Sequence, residues 1–66
     1  MSVAKVIEIT AASATSFQDA IDQGIAKACT SLEGVTGAWI QDQKVVVNAN
    51  KITEYRVNMK VSFIMK

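Results

Sequence analysis

From Ile52 to Lys66 the chain alternates without a break. Thr53, Tyr55, Val57, Met59, Val61, Phe63 and Met65 fall on one side, and Ile52, Glu54, Arg56, Asn58, Lys60, Ser62 and Ile64 on the other. A period of two is the signature of a pleated strand whose faces meet different surroundings. One face of this strand is therefore core and the other largely polar. Met59, Phe63 and Met65 belong to the core side. Such a strand needs neighbours for its backbone groups and something to cover its apolar face.

Val3 to Thr10 (VAKVIEIT) is short and rich in β-branched residues, so it reads as a strand, and Ala11-Ala12-Ser13-Ala14 breaks the pattern. Thr15 and Ser16 are both suitable helix N-caps, with Gln18 three residues after the first and Asp19 three after the second. Phe17, Ala20, Ile21, Gly24, Ile25, Ala28 and Leu32 then recur at intervals of three and four, one stripe of a helix. Asp19 and Asp22 near its start and Lys27 toward its end suit the helix dipole, and Gly34 is placed to stop it in a left-handed cap. Val35 to Val47 is again strand-like, and Asn48-Ala49-Asn50-Lys51 links it to the last strand as a hairpin. The order is β-α-β-β, an α+β chain with no proline and no internal repeat.

The hairpin decides which residues share a face. A two-residue turn at Ala49-Asn50 puts Gly37, Trp39, Gln41 and Gln43 on the polar face with Arg56, Asn58 and Lys60, and a three-residue loop reverses this. The two-residue turn is favoured, because the other register sets Gln41 and Gln43 beside Val57 and Met59, at roughly 1–3 kcal/mol each without hydrogen-bond partners. A tryptophan then sits among amides and cations, on a sheet face that nothing in one copy of the chain covers. That surface is an interface or a ligand site.

Size sharpens the point. A chain of 66 residues, half of them hydrophobic, is one domain at the lower limit of what a single core stabilises. Disulfides, metals and self-association are the usual supplements. Cys29 is the only cysteine and there is no histidine, which removes intrachain disulfides and Cys/His zinc sites and leaves oligomerisation. Without histidine to activate it, Cys29 reads as a small packed hydrophobe rather than a nucleophile. A net charge of +1 with seven dispersed Lys and Arg residues argues against nucleic acid. No apolar run reaches the ~20 residues that cross a bilayer, and Met1-Ser2-Val3-Ala4-Lys5 lacks the order of a signal peptide, so a cytoplasmic protein without membrane partners is expected.

Taken together, VAKVIEIT, the segment Thr15-Ser16-Phe17-Gln18-Asp19-Ala20-Ile21, the pair Asp42-Gln43, and Glu54-Tyr55-Arg56-Val57-Asn58-Met59-Lys60-Val61-Ser62-Phe63 resemble the dodecin family along residues 1–66. The resemblance implies a three-stranded antiparallel sheet wrapped around one helix, in a hollow homododecamer. It also implies a non-enzymatic role in binding and storing or sequestering flavins, FMN or riboflavin, stacked between tryptophans of related subunits. Some members of the family also bind coenzyme A or metal ions.

Alignment on Asp42-Gln43 puts the family's stacking tryptophan at Gly37, so Trp39 lies two residues late, and the glutamine expected after the third-strand tyrosine is Arg56. The candidate flavin-binding residues are therefore Trp39, Arg56, Gly37 and Gln41, with Trp39 stacking and Arg56 and Gln41 supplying polar contacts. The alternative is a structural, ion-binding or coenzyme A-binding shell of the same fold that has lost flavin binding. Asp19 and Asp22 read as helix-dipole and solubility residues. With no histidine, no clustered acid pair and no usable nucleophile, no reaction class suggests itself for Arg56 with Glu54 or Asp42.

Overall fold

The computed structural model describes residues 3–65. Strand β1 spans Val3–Ser13, helix α1 Phe17–Ser31, strand β2 Val35–Asn48 and strand β3 Lys51–Met65. The sheet is antiparallel with order β1-β3-β2, so the strand with the clearest alternation is the central one. β1 is longer than its sequence pattern suggests. The alanines that interrupt its β-branched run still find partners on the 15-residue β3, out to Ser13 opposite Tyr55.

Pairing of β1 with β3 sets Ile7 opposite Val61, Ile9 opposite Met59 and Ala11 opposite Val57. These form the inner face, on which α1 lies. Val57, Met59 and Val61 are fully buried there with Ala20 of the helix, and Ala28 is nearly so. Ser16 caps the helix, its hydroxyl accepting from the Asp19 amide at 3.0 Å. Ser13, buried at the end of β1, donates to the Asp19 carboxylate, which also accepts from Gln23 at 2.6 Å. Gly24 faces Met59, where a Cβ would come within 2.8 Å of the methionine methyl and 3.0 Å of Ala11 Cβ. The helix thus approaches the sheet at a residue without a side chain. At its start, Phe17 meets Tyr55 edge-on, ring centroids 5.1 Å apart.

Three local expectations need correction. The helix ends at Ser31 with Leu32 as its cap in an extended conformation, and Gly34 (φ +74°) instead makes the turn into β2, where its carbonyl accepts from Ile64 N–H at 3.0 Å. Met65 is half exposed, because its partner is Val3 at the end of the sheet that the helix does not reach. Cys29 is exposed on the helix rather than packed.

The hairpin turns on Ala49 and Asn50, with φ of +52° and +65°, a mirror-image type I turn of two residues. The expected register holds next to the turn and again from Gly37 to Ile40, where Gly37 lies opposite Ser62 and Trp39 opposite Lys60. Between them it slips by one residue and returns. An extra residue on β3, Thr53, whose hydroxyl donates to Val46 O at 3.2 Å, is offset by an extra residue on β2, Gln41. Gln43 consequently pairs with Val57 and Lys44 with Arg56, so Gln43 leaves the polar face expected for it. It nonetheless stays exposed, because α1 packs over β1 and β3 and leaves the inner face of β2 to water.

The subunit is extended, 52 × 19 × 13 Å, with a radius of gyration of 13.6 Å. A compact chain of this length has about 11 Å. Its accessible surface of 4759 Å² likewise exceeds the roughly 4,100 Å² usual for 7.1 kDa. Val3, Val6, Trp39, Ile40, Val47 and Ile52 are among the large apolar side chains left in water. No described helix is long and apolar enough to cross a membrane.

Candidate functional site

The outer face of the sheet, away from the helix, is built in cross-strand rows. One row runs from Val6 through Ser62 to Gly37, the next from Glu8 through Lys60 to Trp39, a third from Thr10 through Asn58 to Asp42, and a fourth from Ala12 through Arg56 to Lys44. Each follows from the alternation of β1 and β3 and from the slip of β2 at Gln41.

The second row carries the aromatic platform. Trp39 is 60% exposed, and with Val6, Ile40, Gln41 and Lys60 it lines an open hollow of about 620 Å³. Gly37 stands two residues away on the same face and is exposed. A Cβ there would meet only Ser62 Oγ at 3.7 Å, so the position has room for a side chain. Gln41, the bulged residue, borders this hollow and also a second one of about 330 Å³ beside it.

Arg56 is not brought to the hollow. It lies four residues along β3 from Lys60, about 13 Å at strand spacing, opposite Lys44, and its guanidinium is held by Glu54. Within one subunit the structure thus gathers Trp39, Gly37 and Gln41 and sets Arg56 apart. A ligand touching both Trp39 and Arg56 would take them from different copies or span a long stretch of strand.

The third row is a hydrogen-bonded chain. Thr10 donates to Asn58 Oδ1 at 2.8 Å, and Asn58 Nδ2 donates to Asp42 Oδ1 at 2.7 Å. Glu8 and Gln41 border the same second hollow, which makes it rich in oxygen atoms, the donors that hard cations take. Among the described residues no three His, Cys, Asp or Glu side chains gather, so any cation there would rely on hydroxyl and amide oxygens beside Glu8 and Asp42. Sequence reading passed over Thr10 and Glu8 because β1 shows little alternation of its own. Their phase becomes readable only once β1 is set against β3.

A small antiparallel sheet with one helix on its inner face, and an aromatic residue and polar rows bare on its outer face, defines a class of subunit built to be completed by its copies. Comparison with known proteins gives the family. The dodecin family model matches residues 3–66. The calcium dodecin of Mycobacterium tuberculosis is 39% identical over 67 residues, spanning 100% of this chain and 93% of its own length. A solved structure of calcium dodecin from the same organism superposes with a TM-score of 0.85 at 34% identity, over 97% of this chain and 91% of that one. Dodecin from Streptomyces davaonensis superposes with a TM-score of 0.94 at 25% identity, over 98% of this chain and 96% of that one. A variant of T. thermophilus dodecin matches as closely in fold, TM-score 0.94 over 100% of this chain and 98% of that one, at 21% identity. The chain belongs to the dodecin family, and its β-α-β-β fold is that of the solved members.

Proposed function

We propose that the chain is a non-enzymatic subunit of a hollow homododecamer that binds a small planar ligand on the outer sheet face and so stores or sequesters it, a flavin (FMN or riboflavin) being that ligand. The observation that carries this reading is the indole of Trp39, 60% exposed over an open hollow that one subunit leaves uncovered. An exposed tryptophan at the floor of a concave surface offers a stacking face to an aromatic ring. Val6 extends the apolar floor and Gln41 supplies an amide at its margin. Assembly is supported by the extended subunit and by the apolar side chains left in water, a surface larger than soluble monomers usually carry. Arg56, about 13 Å away within a subunit, joins the same site from a neighbouring copy or through a ligand long enough to span that distance.

Titration of the assembled protein with riboflavin tests the ligand. Quenching of flavin fluorescence at micromolar concentration, lost in Trp39→Ala with assembly intact, is expected. No quenching at that concentration overturns the flavin reading.

A second reading has its own observation. The relative at 39% identity is a calcium dodecin, and the hollow bordered by Glu8, Thr10, Gln41, Asp42 and Asn58 offers oxygen donors to a hard cation. In this reading the shell takes up calcium on the third row of the face. Calorimetric titration with calcium separates the two, since a cation held there loses affinity in Asp42→Asn and is indifferent to Trp39→Ala.

A further inference from the structure

Among the described residues Lys60 is the one charged side chain bordering the Trp39 hollow, and its position in the sheet is specific. It stands on the central strand between Glu8 of β1 and Trp39 of β2. Its ammonium lies 3.8 Å from the Glu8 carboxylate, the outer limit of an ion pair, with the two side chains 44% and 65% exposed. A pair so long and so solvated holds its lysine weakly. Lys60 is therefore available to an anion that approaches from the tryptophan side. Arg56, on the same face of β3, is occupied by Glu54 and lies outside the hollow.

We infer that the Trp39 hollow selects planar aromatic ligands that carry a phosphate over the same ring without one, and that Lys60 makes the selection. The inference rests on the ligand reading above and deepens it. The ring stacks on Trp39, and a flexible arm brings the phosphate to the Lys60 ammonium, which leaves its loose contact with Glu8 to meet a more highly charged partner. Glu8 works against this step, because its carboxylate competes for Lys60 and repels the incoming anion. The two residues thus set the preference in opposite directions, and each is testable without touching the stacking face.

The experiment compares FMN with riboflavin, which share one ring and differ in the phosphate, by fluorescence quenching on the assembled protein. Wild type, Lys60→Gln and Glu8→Gln are titrated, with assembly of each checked by native mass. Wild type is expected to bind FMN roughly threefold to tenfold more tightly than riboflavin at low salt, with the ratio falling as salt screens the contact. Lys60→Gln should weaken FMN more than riboflavin and bring the two ligands within about twofold, and Glu8→Gln should widen the ratio. A ratio in Lys60→Gln equal to that of wild type overturns the inference, as does a wild type that binds both ligands equally. In that last case the flavin reading survives and only the selection falls. If neither ligand binds wild type, the flavin reading fails and takes the selection with it. Should Lys60→Gln fail to assemble, the Glu8→Gln ratio decides: no widening there overturns the proposal.

Discussion

The Met59 methyl occupies the space where a side chain on Gly24 would begin, 2.8 Å from the position of its Cβ. This contact fixes how closely α1 lies on the sheet. Glycine costs a helix interior about 1 kcal/mol relative to alanine, and here that cost allows Met59 and Ala11 to close under the helix. Gly24→Ala should regain helix propensity and lose packing, for a net destabilisation of about 1 kcal/mol, whereas Gly24→Val should cost roughly 3 kcal/mol. Chemical denaturation of the two variants beside wild type measures both. Equal stability of all three would mean that the helix shifts freely on the sheet.

The hairpin holds a strained residue. Ala49 has φ of +52°, a conformation that costs a residue with a Cβ about 1 kcal/mol. The double variant Ala49→Asn, Asn50→Gly supplies the residues this turn prefers and should raise stability by about 1 kcal/mol, read as a higher denaturation midpoint. An unchanged midpoint would show that the turn relaxes without help.

Much of this architecture was legible before any coordinates, and the reasons are specific. The alternation from Tyr55 to Phe63 survives because β3 is central and its inner face meets the helix. The helical stripe holds because Ala20, Gly24 and Ala28 lie against that face. The two-residue turn led correctly to Trp39 opposite Lys60, but only because the extra residues Thr53 and Gln41 offset one another. No residue type announces a bulge at those positions, and Gln43 was therefore assigned to the wrong face. Its burial penalty was misjudged as well, since α1 leaves the inner face of β2 in water. Met65 was expected to be packed because an apolar residue at the right period reads as core whether or not the partner element reaches it, and Cys29 because it lies at the edge of the helical stripe with nothing to activate its thiol.

Gly37 gives a third prediction. The family resemblance places a tryptophan at this position, and a Cβ there meets nothing closer than Ser62 Oγ at 3.7 Å. Gly37→Trp should therefore be tolerated within about 0.5 kcal/mol, as exposed substitutions usually are. If flavin is the ligand, a second ring on the same face should tighten riboflavin binding severalfold, in line with about 0.5–1.5 kcal/mol for an aromatic pair. Fluorescence titration reads the affinity, and a loss of binding would place the ligand away from this face.

Asn58 links Thr10 to Asp42 and so keeps the Asp42 carboxylate oriented over the second hollow. If calcium occupies that hollow, adding it at about 100 times its Kd should stabilise the protein by roughly 2.7 kcal/mol. Asp42→Asn should abolish that increment. Thermal melts with and without calcium measure it, and an increment that persists in Asp42→Asn would put the cation elsewhere.

Each of these readings treats the chain as one part of a larger object. In the proposed assembly the extended subunit buries Ile40, Val47 and Ile52, which one copy leaves in water, against other copies. The direct measurement is the mass of the native protein in solution, by native mass spectrometry or sedimentation. Twelve copies of the 7.1 kDa chain give a closed particle of about 85 kDa, the result expected here. A stable monomer of 7.1 kDa would contradict the account.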